Sequence, residues 1–388
     1  MLKETSCIAP FINLTIDPEN NTSPCPYLGG GAWKFDKEKD PKQIWKSSQF
    51  EKLRQSHLKG EKDPICQRCW NEEAVGKMSA RQRFLKDYQN QIDQIIQNIQ
   101  NKTYMSGPTI LTMKNGNICN LRCRTCGPKD SSVWIPEAQS YVNKHPKKLE
   151  GTWFQSETFK KNWNNKQMED LQTFNQNLIK VEHFGGEPLY NPRVFEHVKM
   201  LIEFGFAKNI ILYFNTNGTQ IPKKEIAEMF KHFKQIEINF SIDGIKNHFE
   251  YIRHPAKWSN LLSTIEWFKN FEQNNNLIWG IVTTVSNLNI FYLDKILEEF
   301  DQWNKTNVFL NILENPTYYC IKNLPESIKE KITKKYAGST RLSSVVNFMN
   351  SAPQDINAWK NFLFWTKQKD AYRSEDFHFT FPEFSNII

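Results

Sequence analysis

Cys119-Asn120-Leu121-Arg122-Cys123-Arg124-Thr125-Cys126 decides how this chain is read. Its three thiols stand at C-x3-C-x2-C spacing, directly after an apolar run, 108–113, that reads as a buried strand. Thiolates bind both iron–sulfur clusters and zinc. A four-iron cluster held by three cysteines keeps its last iron open for another ligand. Structural zinc needs four closed ligands, and no fourth Cys or His follows within the loop, the next His being His145. Three unrelated buried thiols are the third reading. Spacing and strand context favour the open cluster.

Downstream, apolar runs at 109–113, 178–184, 210–215, 236–242, 277–284 and 308–313 predict six strands. Between them 132–143, 191–204, 223–233, 258–270 and 292–303 predict helices. Such alternation predicts a parallel sheet wrapped by helices, with its chemistry at the C-terminal strand ends. The second strand ends in Phe184-Gly185-Gly186-Glu187-Pro188. Two glycines let a ligand approach the backbone, and the carboxylate can accept from an ammonium. The third ends in Asn215-Thr216-Asn217-Gly218, the fourth in Ser241-Ile242-Asp243-Gly244, and the fifth in Val282-Thr283-Thr284-Val285 with Asn287 beyond.

These segments resemble the radical S-adenosylmethionine (radical SAM) superfamily. The resemblance implies a partial (β/α)6 TIM-like barrel over residues 106–315, an α/β fold. It implies a [4Fe–4S] cluster on Cys119, Cys123 and Cys126 that binds SAM. It also implies reductive cleavage of SAM to a 5′-deoxyadenosyl radical, which abstracts a hydrogen atom from substrate. Gly185, Gly186, Glu187 and Pro188 match the family's GGEP motif, which places Glu187 on the SAM amino group. Asn215 and Asn217 match its TNG segment, and Ser241 its S-x-D-G segment. Arg253, in Tyr251-Ile252-Arg253, matches an arginine that pairs with the SAM carboxylate, a role suited to the guanidinium fork. Thr284 and Asn287 are candidates for ribose contacts. One departure is Thr125, where the family usually has an aromatic residue near the adenine. The resemblance also implies an electron donor such as flavodoxin or ferredoxin.

Upstream lie Cys7, Cys25, Cys66 and Cys69, the last two forming the knuckle Cys66-Gln67-Arg68-Cys69. By spacing alone, four thiols suit either structural zinc or a four-ligand cluster. The words around them, Cys7-Ile8-Ala9-Pro10-Phe11, Pro24-Cys25, Ile44-Trp45 and Pro64-Ile65-Cys66, resemble a SPASM or twitch domain. That implies one auxiliary [4Fe–4S] cluster in residues 1–105. The departure is position, since such domains usually follow the barrel. Locally, 11–16 and 21–26 predict a hairpin turning at Asp17-Pro18-Glu19-Asn20. Residues 41–59 predict a helix, and 78–100 a long helix joining the two halves. Glu72, Glu73 and Arg81 read as solvated helix-face charge.

The remaining sequence sets bounds. The 388 residues allow two domains or one large domain with additions. No run approaches the ~18 apolar residues of a membrane span, and residues 1–7 carry no signal-peptide apolar segment. The expectation is a cytoplasmic chain with no membrane partner, whose eight cysteines serve as ligands rather than disulfides. The +8 charge is scattered and reads as solvated surface. Lys147, Lys148, Trp153, Lys160, Lys161 and Trp163, in the insert 144–177, interleave basic and aromatic residues as nucleic-acid binders do; ordinary helix faces and a core Trp are favoured. Residues 316–388 predict a helical extension, with helices at 325–336 and 343–372. Phe377, Phe379, Phe381 and Phe384 alternate as in a partly extended tail. Cys320, just past the last strand, reads as a packed spectator thiol. SPASM and twitch enzymes often modify peptides, so a peptide or protein is the expected substrate. A nucleotide, nucleic acid or other small molecule is the alternative, and a zinc-containing nucleic-acid-binding protein is the alternative outside enzymes.

Overall fold

Apolar residues at every second position of the central strands face outward onto helices, while polar ones face inward. Leu212, Phe214, Ile236, Ile238 and Phe240 are buried, whereas Tyr213, Asn215, Glu237 and Asn239 between them line an internal cavity. A period of two sorts the sheet's faces in this way. The structure, a computed structural model, describes residues 2–19, 21–28, 40–154, 162–172, 174–273, 275–304 and 308–384.

The six predicted strands form as β3 (Ile110–Lys114), β4 (Lys180–Phe184), β5 (Ile211–Thr216), β6 (Gln235–Ser241), β7 (Leu277–Val285) and β8 (Val308–Ile312). They pair in sequence order, all parallel. Two more strands extend the sheet, β1 (Asn13–Ile16) and β2 (Thr22–Ser23), giving the order β2-β1-β3-β4-β5-β6-β7-β8. β1 and β2 are the predicted hairpin in shorter form. Residues 9–12 form a helical turn instead of strand, and the Asp17 carboxylate accepts from the Glu19 and Asn21 N–H groups to close the connection.

β1 also runs parallel to β3, with Leu14 opposite Leu111. The N-terminal segment therefore extends the barrel's own sheet by two strands. It reaches the other edge as well. Arg68 donates to Asn311 beside β8 at 3.3 Å, and the Arg83 guanidinium lies 3.6 Å from the centre of the Phe309 ring.

Three predicted helices are broken. Residues 41–59 form Pro41–Trp45 and Ser48–Lys59, because the Ser47 side chain caps the second by accepting from the Phe50 N–H. The long 78–100 helix is instead Ala80–Asp87, opened by a Ser79–Gln82 capping box, and Ile92–Gln100. Between them Gln89-Asn90-Gln91 offers no apolar face for packing to hold. Residues 343–372 split into Ser343–Met349 and Ile356–Arg373 around Pro353, with Asp355 capping the second. The phenylalanine tail is a further correction. Residues 377–380 are helical, so Phe377, Phe381 and Phe384 are buried while Phe379 is 82% exposed.

In the insert, Trp163 and Phe154 are buried in the core and Lys148 lies over the Phe364 ring. Lys160 and Lys161 lie outside the described residues. Cys320 is 5% exposed between two 3-10 turns and does not line the barrel cavity. No helix of the described residues is long and apolar enough to cross a membrane.

Candidate active site

The cysteine loop leaves the C-terminal end of β3 and lies against the β4 loop. The Glu187 N–H donates to the Ile118 carbonyl at 2.8 Å. Gly186, at φ +58°, has no room for a side chain: a Cβ would stand 2.3 Å from that same carbonyl. The Gly-Gly pair thus admits the cysteine loop itself, which its positive φ and missing Cβ allow. Pro188 opens a 3-10 turn whose first residues the Glu187 side chain caps.

Two further anchors hold the loop. The Arg122 and Arg124 N–H groups donate to the His254 and Ile252 carbonyls, both at 2.7 Å. Behind it, the fully buried Arg124 guanidinium reaches Asp370 and Glu375, each at 2.5 Å, and packs 3.5 Å from the centre of the Tyr251 ring. Lys369, also buried, donates to the Arg124 carbonyl and to the Tyr319 hydroxyl. These partners were missed in the sequence because they come from the C-terminal helix. The one available signal was an arginine inside the octet.

The three thiols suit a cluster site. Cys123 and Cys126 hydrogen-bond to each other, which lowers Cys123 to about 7, while burial pushes Cys119 up to about 12. Arg253 faces them and is held in its charged form by Cys123 and Asp243, so thiolate charge has a counter-ion in place. Its Nη1 bonds Asp243 at 2.6 Å, and its Nε has no partner among the described residues. Asp243 in turn accepts from the Thr284 N–H at 2.7 Å.

Glu187 is 1% exposed, and desolvation raises its pKa. Oε1 accepts from the Leu189 N–H and the Thr216 hydroxyl, and Oε2 from the Asn217 N–H. A carboxylate has about four acceptor positions, so one remains for an incoming ammonium. Asn217 also donates to Asn120 of the octet at 2.8 Å, and Asn120 donates to Thr219. Asn120 and Thr219 were not singled out in the sequence.

Asn215 faces the barrel interior, where its Oδ1 accepts from the Tyr213 hydroxyl. Ser241 is half-buried at the end of β6. Asn287 is 1% exposed and its amide donates to the Tyr318 carbonyl, so it braces the turn after β8.

Cys7, Cys25, Cys66 and Cys69 line one cavity together with His57, Arg68 and Arg81. All four are free thiols. Burial pushes Cys25 and Cys66 up to about 12 and raises Cys7 and Cys69. Arg81 corrects the reading of solvated charge. It is 7% exposed, grips both oxygens of Glu73, and donates to the Glu4 and Ser6 carbonyls. Glu72 is buried too, paired with Lys77 at 2.6 Å. Zinc draws four sulfurs to about 2.3 Å from one point. Four free thiols lining one cavity are the ligand set that a four-cysteine cluster needs.

Residues 113–300 match the Radical SAM superfamily, and residues 7–70 match SPASM, an iron–sulfur cluster-binding domain. An uncharacterized protein of Methanocaldococcus jannaschii is 30% identical over 141 residues, covering 36% of this chain and 48% of that one. The radical SAM cyclopropyl synthase TigE of Paramaledivibacter caminithermalis is 24% identical over 221 residues, covering 56% and 44%. The chain spans about half the length of these curated relatives. Among solved structures, native anSMEcpe with bound AdoMet aligns at TM-score 0.43 and 19% identity, covering 64% of this chain and 63% of that one. SuiB of Streptococcus suis bound to precursor peptide SuiA aligns at 0.40 and 12%, covering 74% and 58%. The barrel segment therefore matches the radical SAM superfamily, and a segment matching a SPASM-type iron–sulfur domain precedes it.

Proposed function

We propose that this protein reductively cleaves SAM and abstracts a hydrogen atom from a peptide or protein substrate. The observation that carries the reading is Glu187. Three of its acceptor positions tie it to the loops after β4 and β5, and by the count of carboxylate lone pairs one is left for SAM. In this reading Cys119, Cys123 and Cys126 hold a [4Fe–4S] cluster, which supplies the electron for SAM cleavage. Glu187 takes the SAM ammonium, and Arg253, through the edge that Asp243 leaves free, takes its carboxylate. Ser241, Thr284, Asn215 and Asn217 face or brace the nucleoside side. Cys7, Cys25, Cys66 and Cys69 hold the auxiliary cluster. Residues 1–105, 106–315 and 316–388 act as auxiliary module, barrel and covering extension, with a flavodoxin or ferredoxin as electron donor.

Beneath these loops lies a cavity of about 790 Å³ lined by the inward residues of β4 to β8. That is within the roughly 300–1,000 Å³ of small-molecule sites, enough for one substrate side chain with its neighbours. The N-terminal module contributes Tyr27, Arg83 and Tyr88 to its wall, leaving the substrate path between module and barrel.

The test is anaerobic reconstitution followed by reduction with SAM present. The expected result is 5′-deoxyadenosine, with about eight irons per chain at four per cluster. Replacing Cys119, Cys123 and Cys126 with Ala should remove about half of the iron and all 5′-deoxyadenosine. Replacing Cys66 and Cys69 should remove the other half. Stoichiometric zinc in place of the second cluster would overturn the N-terminal assignment.

A further inference from the structure

The barrel cavity is polarised along its axis. At its lower level Glu182, Tyr213 and Glu237 stand in register on β4, β5 and β6. Lys180 bonds Glu237 at 2.7 Å and lies 3.5 Å from Glu182. Asp87 adds a third carboxylate close enough to act on Lys180. Lys180 thus lies within ion-pair distance of both glutamates, while Asp87 is also near Arg83 and Lys86.

The level above, nearer the cysteine loop, is different. Asn215, Asn239 and Gly280 stand in register with no carboxylate among them. Asn239 donates to the Tyr213 hydroxyl, which donates to Asn215, so these amides are already oriented. At Gly280 a Cβ would come within 2.6 Å of the Asn239 side-chain Oδ1, and the missing side chain keeps this level open. Lys114, the last residue of β3, enters the cavity here, half-buried, with no ion pair or hydrogen bond from its side chain among the described residues. Arg83 enters from the N-terminal module. Its guanidinium lies 3.6 Å from the centre of the Phe309 ring and near Tyr27, and among the described residues it has no carboxylate at ion-pair distance, Asp87 acting on it only from further off. Asp87, one helical turn along, stays beyond ion-pair distance.

Buried charges in folded chains are almost always paired. Two partly buried cations in one cavity, neither with a carboxylate at ion-pair distance among the described residues, are arranged for an anion from outside. We propose that Lys114 and Arg83 bind a carboxylate of the substrate, which sets the peptide's position beneath the SAM site. The excess of Glu182, Glu237 and Asp87 below favours a monoanion over a phosphate dianion. This inference rests on the radical SAM peptide-modifying reading and names the substrate chemistry of that site. The carboxylate comes either from an acidic side chain or from the peptide's C-terminus.

The test uses the reconstituted holoprotein with SAM bound and no reductant, so that binding is read without turnover. The probes are acetyl-Gly-Ala-X-Ala-Gly-amide with X as Asp, Glu, Asn, Gln or Lys, together with the X = Asn peptide ending in a free carboxylate. Carboxylate peptides should bind at least ~10-fold more tightly than the amide ones, the scale of a charge-assisted hydrogen bond. Preference for Asp or Glu over the free terminus identifies a side chain; the reverse identifies the C-terminus. The preference should vanish in Lys114→Met with Arg83→Met, persist in Lys114→Arg, and shift toward the Lys peptide in Lys114→Glu. Equal binding of acid and amide peptides, or a preference that survives the double Met variant, overturns the proposal. So does a fall in SAM affinity in Lys114→Met with iron retained, which would make Lys114 a SAM ligand. Failure of the underlying reading shows separately, as wild-type protein that forms no 5′-deoxyadenosine on reduction.

Discussion

Arg124 and Asp370 are 246 residues apart in the chain and meet at 2.5 Å. Arg124 lies inside the cysteine octet, and Asp370 lies on the Ile356–Arg373 helix. The Tyr251 hydroxyl also donates to Asp370, so the cysteine loop, the end of the 246–252 helix and the C-terminal helix share one charged node. The loop that presents three thiols is thus held from behind by residues with no chemistry of their own.

That node predicts a large stability effect. The Asp370→Ala, Glu375→Ala double variant leaves the Arg124 guanidinium buried without either partner. Its unfolding free energy, measured by urea denaturation of the metal-free chain, should fall by about 3–5 kcal/mol, the usual cost of orphaning a buried charge. A loss below about 1 kcal/mol, typical of an exposed pair, would sink the idea of a clamp.

Glu187→Ala should weaken SAM binding by roughly ten- to a hundredfold, the loss of one charge-assisted hydrogen bond, with iron content kept. Equilibrium binding of SAM to the reconstituted protein measures it. The same change also strips acceptors from the Asn217 N–H and the Thr216 hydroxyl, so a lower melting temperature should accompany the weaker binding. Unchanged SAM affinity would mean that the open acceptor position faces something else.

Stability should fall on mild acidification through His197. Burial lowers its pKa to about 4, and neither ring nitrogen has a hydrogen-bond partner among the described residues. The folded-state value lies below the unfolded one, near 6.5. Between those two the unfolded chain binds the extra proton. Its contribution is complete above about pH 6.5 and is lost as pH falls toward 4, at up to about 1.4 kcal/mol per pH unit. His183, 5.7 Å away, is shifted in the same direction by burial and by His197. Urea unfolding across this range should show a shallower slope in His197→Phe. An identical slope would mean that His197 titrates normally.

Cys320→Ala should turn over normally and lose about 1–2 kcal/mol of stability from the missing sulfur in a packed site. If the variant forms 5′-deoxyadenosine but no product, Cys320 donates a hydrogen atom and its place in the core misleads.

The barrel was legible because each strand is an apolar run, alternating in burial from β4 to β7, and β3 to β7 end in recognisable loops. Gly185, Gly186 and Glu187 could be placed from sequence for the same reason, since backbone geometry and charge constrain them locally. The anchors of the cysteine loop were not legible. Asp370, Glu375 and Lys369 carry no motif, and only the fold brings their helix to Arg124. Arg81 was misread for a related reason: its partners, the carbonyls of Glu4 and Ser6, have no side-chain signature. The helix breaks at Ser47 and Pro353 follow ordinary cap and proline rules, which the apolar pattern alone does not express. The parallel pairing of β1 with β3 was hidden because a four-residue strand looks the same whether it has one neighbour or two.

The contact of Arg68 with Asn311 spans 243 residues, and this has a consequence during synthesis on the ribosome. At roughly 5–20 residues per second, about 12–50 s separate the emergence of Arg68 from that of Asn311. Every residue lining the four-thiol cavity lies between Cys7 and Phe84, so that enclosure is synthesised early and only its tie to the last barrel strand comes late. Through that interval the four thiols must be kept together by contacts within the first 84 residues alone.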